Sequence, residues 1–275
     1  MPIAVFARSG TSMSLTFCAI GTALLLAGCA SLPGSELSNV YGERFEIAEI
    51  TRAAPTVVFE SGLAGNKETW GDVFADISAT NTVFAYNRPG IGRSESTTKP
   101  RDGATIVANL RALLRSRSLK PPYVLVGHSA GGLYMQLYAR TYPSEVVGLV
   151  LVDPTHPTQF EGAGALEHRG SLSSMAIAAA GLLGPARKEF GALVETGQEV
   201  LAAPKLPSGI PVVILVAPNK ATTPIARFDN AKRTDFANLY PSAAIREVDG
   251  GHNIQLERPQ VVIQAIREVI SRLRR

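Results

Sequence analysis

The sequence predicts an α/β protein, a mostly parallel central sheet with helices on both faces. Three observations carry this expectation. Short runs rich in Val, Ile and Leu, each closed by Gly, Pro, Asn or Asp, read as strands buried on both faces. Amphipathic stretches of helical spacing separate them, and such alternation implies parallel pairing through crossover helices. The 275 residues are 45% hydrophobic and 18% charged, which suffices for a full core and argues against a disordered chain.

The elements follow in order. "RFEIAEI" alternates apolar and polar residues, as an edge or half-exposed strand does. "PTVVFESG", "NTVFAYN", "PYVLVGH", "VVGLVLVD" and "IPVVILVAP" are the β-branched apolar runs. Between them lie "ETWGDVFADIS", "GATIVANLRALLRSRS" and "AGGLYMQLYARTYP", and "RPQVVIQAIREVISRL" closes the chain as a helix. The rhythm breaks once. From Pro154 to Gly209 there is no strand-like run, and the stretch is rich in Ala, Gly, Ser and Leu. It is too long for a plain loop in a compact domain, so a helical insertion is expected over about residues 154–209.

The charge pattern is plain. The net charge is +4 and the basic residues are scattered, with no Lys/Arg run interleaved with aromatics, which argues against a nucleic-acid partner. The basic C-terminal "REVISRLRR" reads as a helix whose last turn carries cations favourable to its dipole.

The N-terminus reads differently from the rest. Arg8 precedes the apolar "LTFCAIGTALLLAG", which is too short for a comfortable membrane span. It ends in Leu26-Ala27-Gly28-Cys29, a tetrapeptide that resembles the lipobox of bacterial lipoproteins. The resemblance implies cleavage before Cys29 and acylation of its sulfur and new amino group, each buried methylene contributing about 0.8 kcal/mol of membrane affinity. The expected division is a signal peptide over 1–28, a tether over 29–43 and a folded domain over 44–275. Ala30 is not the Asp that often retains such proteins in the inner membrane, so the expectation is export to the outer membrane of a Gram-negative bacterium. An ordinary secretory signal or an uncleaved anchor are the other readings of this segment. Cys18 and Cys29 are the only cysteines, so a chain cut before Cys29 has no disulfide and stands on its core alone.

The chemistry is written around Ser129. "YVLVGHSAGG" places a serine between glycines where a buried strand gives way to a helix, the pattern of a nucleophile elbow. Gly127 and Gly131, with Gly132, leave room for strand and helix to pass closely. The helix start aims its amides at the point where negative charge develops. A serine is a weak nucleophile without a base. Of His128, His156, His168 and His252, the first lies inside the elbow, where its side chain is expected to point away from the reacting face. The next two fall in the insertion. His252, in "DGGHNIQLERP", sits on a glycine-flanked loop at the C-terminal edge of the sheet, where such sheets bind ligands, and is the expected base.

Together the order of elements, "GHSAG", "GGHNIQLERP" and "YNRPGIGRS" resemble the α/β-hydrolase fold, in its cap-bearing, esterase-like branch. The similarity spans roughly residues 44–275. In that family's strand numbering the insertion follows the sixth strand and forms a cap. The family's DRPGxGxS turn matches Asn87–Ser94, with Asn87 in place of the usual Asp, and the resemblance gives this turn a structural part only. It implies an oxyanion hole made by the amides of Ala130 and Leu63. The usual His-Gly-X of the second loop is here Ser61-Gly62-Leu63, a change that a backbone donor tolerates, and Ser61 is a candidate to orient the loop.

The acid remains open among three residues. In much of the family it follows the seventh strand, but "IPVVILVAPNKATTP" carries no carboxylate until Asp229, which enters a helix. Asp153 ends the sixth strand in "GLVLVDPTHP" and is favoured, although an Asp before Pro is also an ordinary turn residue. Asp235, or no functional acid at all, is the remaining reading.

The resemblance implies a serine hydrolase that cleaves a carboxylic ester with neither metal nor organic cofactor, and the many Ala, Leu and Met residues of the insertion suggest a small, apolar ester substrate. Serine at the elbow argues against haloalkane dehalogenase and epoxide hydrolase chemistry, which attack through a carboxylate. Hydrolysis of C–C, lactone or amide bonds by the same residues stays open, as does a non-catalytic lipoprotein that keeps the fold as a binding module.

Overall fold

The computed structural model describes residues 31–40, 42–169 and 184–273. The lipobox segment, including Cys29, and the Ala/Leu-rich part of the insertion lie outside them.

Eight strands form one sheet: β1 (Ser35–Val40), β2 (Glu43–Ile50), β3 (Ala53–Glu60), β4 (Asn81–Tyr86), β5 (Tyr123–His128), β6 (Val146–Val152), β7 (Val212–Val216) and β8 (Ala244–Glu247). Their order across the sheet is β1-β2-β4-β3-β5-β6-β7-β8. From β4 to β8 every pairing is parallel, whereas β2 pairs antiparallel with both β1 and β4. The fold class is the one expected from sequence.

Two details differ. "RFEIAEI", expected as an edge or half-exposed strand, does not lie at the edge, because β1 pairs with β2 from Glu43 to Ala48. The proposed tether over 29–43 therefore ends earlier: residues 35–40 belong to the sheet. The sequence "SELSNV" hid this strand because an edge strand needs few apolar residues, and only Ser38 and Val40 in it are buried.

Helices follow from the alternation. α1 (Gly71–Ser78) and α8 (Pro259–Arg272) cover one face of the sheet, and α2 (Gly103–Ser116) and α3 (Ala130–Thr141) the other. Successive strand residues serve opposite faces, as the pleat requires. Val57 and Phe59 join Trp70, Val73, Phe74, Val262 and Ile266 on one side; Val58 and Leu125 join Leu110, Leu133 and Leu137 on the other. α2 starts where Asp102 accepts the Thr105 amide at 2.8 Å, an N-cap.

The insertion between β6 and β7 carries α4 (Pro185–Gly191) and α5 (Leu193–Ala202), and α5 packs its buried Leu193 and Val200 into the core cluster of α2 and α3. α6 (Pro224–Leu239) links β7 to β8, and α7 (Ile254–Glu257) precedes α8. The C-terminal ends of β3, β5, β6 and β8 thus open toward one edge, which the cap faces.

Candidate active site

β5 ends at His128 and α3 starts at Ala130, so one residue makes the turn. Ser129 has φ 52° and ψ −123°, a conformation that costs an L-residue on the order of 1–3 kcal/mol. The neighbourhood holds it there. Its amide donates to the Val152 carbonyl at 3.1 Å, and its carbonyl accepts from the amides of Gly132, Leu133 and Thr155. Helix and strand pass so closely that a Cβ on Gly131 would sit 2.4 Å from the Glu60 carbonyl oxygen and 2.5 Å from that of Ser61. Only glycine fits there.

Three side chains from three strand ends converge on this turn. His252 Nε2 lies 3.0 Å from Ser129 Oγ, and His252 Nδ1 lies 2.6 Å from Asp153 Oδ2. A carboxylate only accepts, so Nδ1 carries the proton and Nε2 is left bare to accept from the serine hydroxyl. Asp153 sits at the end of β6 with φ 36° and is buried, while half of the His252 side chain remains exposed. The other two carboxylates are engaged elsewhere. Asp229 accepts from Arg169 Nη2 at 2.9 Å and from Gln159, and Asp235 lies 3.2 Å from His156 Nε2.

Asp153 is more heavily held than the sequence suggested. Arg233, on α6, donates Nε to Oδ1 at 2.8 Å and Nη2 to Oδ2 at 2.9 Å, and the Ala217 amide donates to Oδ1 at 3.1 Å. Burial pushes the carboxyl up, but the hydrogen bonds from Arg233 and His252 and the charges of both outweigh it and hold Asp153 at about 2. Arg233 went unnoticed because a lone arginine 80 residues downstream on a helix leaves no local signal.

His128 also departs from expectation. Its ring lies 4.7 Å from that of His252, and its Nε2 donates to the His252 carbonyl at 2.9 Å. It lines the cavity in front of Ser129 instead of pointing away from it, because the left-handed turn at Ser129 reverses the chain just after β5. Burial, with the nearby His252, pushes the His128 imidazole down to about 3, so it stays neutral and keeps the single N–H that holds the His252 loop.

The second loop is fixed from below. A Cβ on Gly62 would lie 3.2 Å from Ser129 Cβ and 3.0 Å from His128 Nδ1, so the backbone of this loop touches the nucleophile. Ser61 Oγ donates to the Asn66 carbonyl at 2.9 Å and ties the two ends of the loop together. Leu63 and Ala130 line the same cavity, and among the described residues neither amide is bonded to a protein acceptor. Asn87 takes the structural part expected of its turn, accepting the Lys67 amide at 2.7 Å and donating to Glu46 at 2.9 Å.

The cavity holds about 450 Å³. Leu63, Phe160, Phe190 and Leu193 give it an apolar wall, with Phe160 and Phe190 edge to face at 5.8 Å. Gln159 and the Arg169–Asp229 pair form a polar side.

Comparison with known proteins agrees with this architecture. The model of the alpha/beta hydrolase family matches residues 57–265. The chain is similar to the uncharacterized protein YqjL of Bacillus subtilis, 38% identical over 99 residues, covering 36% of this chain and 39% of that one. It is also similar to a mouse (lyso)-N-acylphosphatidylethanolamine lipase, 34% identical over 102 residues, covering 36% and 30% respectively. The chain thus spans less than two fifths of the length of the curated relatives it matches. Among solved structures, mouse alpha/beta hydrolase domain-containing protein 10 superposes with a TM-score of 0.63 at 17% identity, over 87% of this chain and 99% of that one. With strand order, elbow turn and a family model over most of its length in agreement, the chain belongs to the alpha/beta hydrolase family.

Proposed function

We propose that the protein is a serine hydrolase that cleaves a carboxylic ester through an acyl-enzyme intermediate. The observation that carries this is the relay of Ser129, His252 and Asp153 at 3.0 and 2.6 Å, lining the cavity.

In this reading His252 Nε2 takes the hydroxyl proton as Ser129 Oγ attacks the ester carbonyl. Asp153 stabilises the imidazolium that results, and Arg233 and Ala217 keep the carboxylate ionised and aimed. The oxygen that gains negative charge is met by the Leu63 and Ala130 amides, the latter at the positive end of α3. Imidazolium then protonates the departing alcohol. Water, deprotonated by the same nitrogen, releases the acid from Ser129. The leaving group exits on the His252 side, where the imidazole is half exposed. The apolar wall of Leu63, Phe160, Phe190 and Leu193 suits an acyl chain, and the relative named as a lipase supports an ester substrate.

The lipobox-like Leu26–Cys29 supports a second element of the proposal, that the mature chain is exported and held at a membrane by lipid on Cys29. A non-catalytic binding module on this fold has no need of an aligned serine, histidine and carboxylate.

Incubation of the purified protein with a fluorophosphonate probe tests the reading. Covalent modification of Ser129, located by peptide mapping and absent from Ser129→Ala, is expected. An unlabelled wild-type protein would overturn it in favour of the binding module.

A further inference from the structure

Arg88 lies in the Asn87–Ser94 turn, to which the sequence assigned no part in the chemistry. Its side chain is 1% exposed, and all five of its N–H groups are used. Nε and Nη2 donate to the two oxygens of Glu189 at 2.9 and 2.8 Å. Nη1 donates to Glu60 at 2.6 Å and to the Ser61 carbonyl at 2.8 Å, and Nη2 donates to the Gly62 carbonyl at 2.7 Å. The guanidinium carbon also lies 5.5 Å from the centre of the Tyr134 ring.

The Gly62 carbonyl and the Leu63 N–H belong to one peptide unit. In a trans peptide the two point in opposite directions. Arg88 and the Gly65 amide, at 3.0 Å, draw the carbonyl inward, which turns the Leu63 N–H to the other side, that of the cavity lined by Ser129 and Ala130. The other anchor of the fork is Glu189, which comes from α4 of the cap and also receives Arg101.

We infer that Arg88 is the positioning residue of the oxyanion hole, aiming the Leu63 amide through the Ser61 and Gly62 carbonyls and, through Glu189, coupling that aim to the docked cap. This rests on the hydrolase reading proposed above. A planar fork with five fixed donors can hold two loop carbonyls and two carboxylates at once. Lysine, with three donors on one nitrogen, cannot.

The test uses the full-length protein and Arg88→Lys, which keeps the charge between Glu60 and Glu189. Two quantities are read: kinetics on a short p-nitrophenyl ester, and inhibition by a trifluoromethyl ketone, whose adduct on Ser129 places an oxyanion in the hole. Removing an oxyanion donor outright costs about 10²–10³ in kcat, so misaiming one should cost roughly 10–100-fold. We expect that fall in kcat with KM within about threefold, and an inhibition constant raised by the same factor. Glu189→Gln keeps the shape of the cap contact but weakens its hold, and is expected to give the same split at roughly 3–10-fold. A folded Arg88→Lys protein with kcat and ketone inhibition within about twofold of wild type overturns the inference, as does a loss carried by KM alone. Should Arg88→Lys not fold, Glu189→Gln decides by the same criteria. Absence of wild-type labelling at Ser129 would instead remove the hydrolase reading, a failure distinct from this one.

Discussion

Asp153→Asn is the substitution whose outcome the geometry fixes most tightly. The asparagine amide has two orientations. With its nitrogen at the Oδ1 position it would face two donors, Arg233 Nε and the Ala217 amide, and lose both hydrogen bonds. With its nitrogen at the Oδ2 position it loses only Arg233 Nη2, and there it faces His252 Nδ1. The second orientation wins. Its N–H must then donate to Nδ1, which drives the imidazole proton to Nε2, the nitrogen that has to accept from Ser129. The base is in the wrong tautomer, and by analogy with other triads the loss is roughly 10⁴ in kcat, or about 5.5 kcal/mol at 1.36 kcal/mol per tenfold. The fold should survive. One charge-assisted hydrogen bond to a side chain that is 19% exposed is worth about 1–3 kcal/mol, and a domain of this size loses about 2–4 °C in Tm per kcal/mol. Steady-state hydrolysis of a p-nitrophenyl ester, with a thermal melt of the same sample, measures both. Asp229→Asn is the companion variant, expected within about tenfold of wild type because Asp229 is tied to Arg169 and Gln159. An Asp153→Asn enzyme within tenfold of wild type, or a crippled Asp229→Asn, refutes the reasoning.

Ser129→Ala and His252→Ala should each lower kcat on the order of 10⁵–10⁶ while leaving the circular dichroism spectrum unchanged, since nucleophile and base act as a unit; near-normal turnover in either removes the assignment. His128 is held down at about 3, so between about pH 6.5 and pH 3 the unfolded chain binds a proton that the folded one refuses. Stability should therefore fall on acidification through that window by up to about 1.4 kcal/mol per pH unit for this group, and His128→Gln should flatten urea-unfolding midpoints measured from pH 7.5 to 5; parallel profiles would contradict it. Gly131→Ala places a methyl group against the Glu60 and Ser61 carbonyl oxygens and should cost several kcal/mol, read as a large drop in Tm or as insoluble protein, whereas a wild-type melt would mean that the elbow yields easily. Cys29→Ser should abolish palmitate incorporation in growing cells, and labelling that persists would show that Cys29 is not the acceptor.

What could be read from the sequence was what is local. The strands from β3 to β7 declare themselves because burial on both faces leaves unbroken apolar runs, and the elbow because its steric demands fall within five consecutive residues. β1 did not, since an edge strand with two buried residues looks like a polar tether. Asp153 could only be favoured over Asp229, because both follow strand ends at one sheet edge, and the decision lies in which of them the His252 loop reaches. The orientation of His128 depends on the sign of one φ, that of Ser129, which the letters Gly-His-Ser suggest but do not state.

The residues that escaped altogether are charged groups meeting from far apart: Arg233 with Asp153 across 80 residues, and Arg88 with Glu189 across 101. Asn87 shows why such meetings also decide which departures from a family pattern are tolerable. Glu46, from β2, already places one carboxylate oxygen 2.9 Å from Asn87 Nδ2, and the same oxygen accepts the Arg93 amide at 2.8 Å. An aspartate at position 87 would set a second carboxylate against it in a buried site. Lys67, the cation that meets Glu46, is shared with Glu68. A like charge at that distance disfavours the ionised form of one of the two carboxylates and costs stability. An amide resolves the conflict, because its oxygen still accepts the Lys67 amide while its nitrogen donates to Glu46. Asn87 thus serves the Lys67 amide and the Glu46 carboxylate at once, and the following Arg88 faces the cap and the loop beside Ser129.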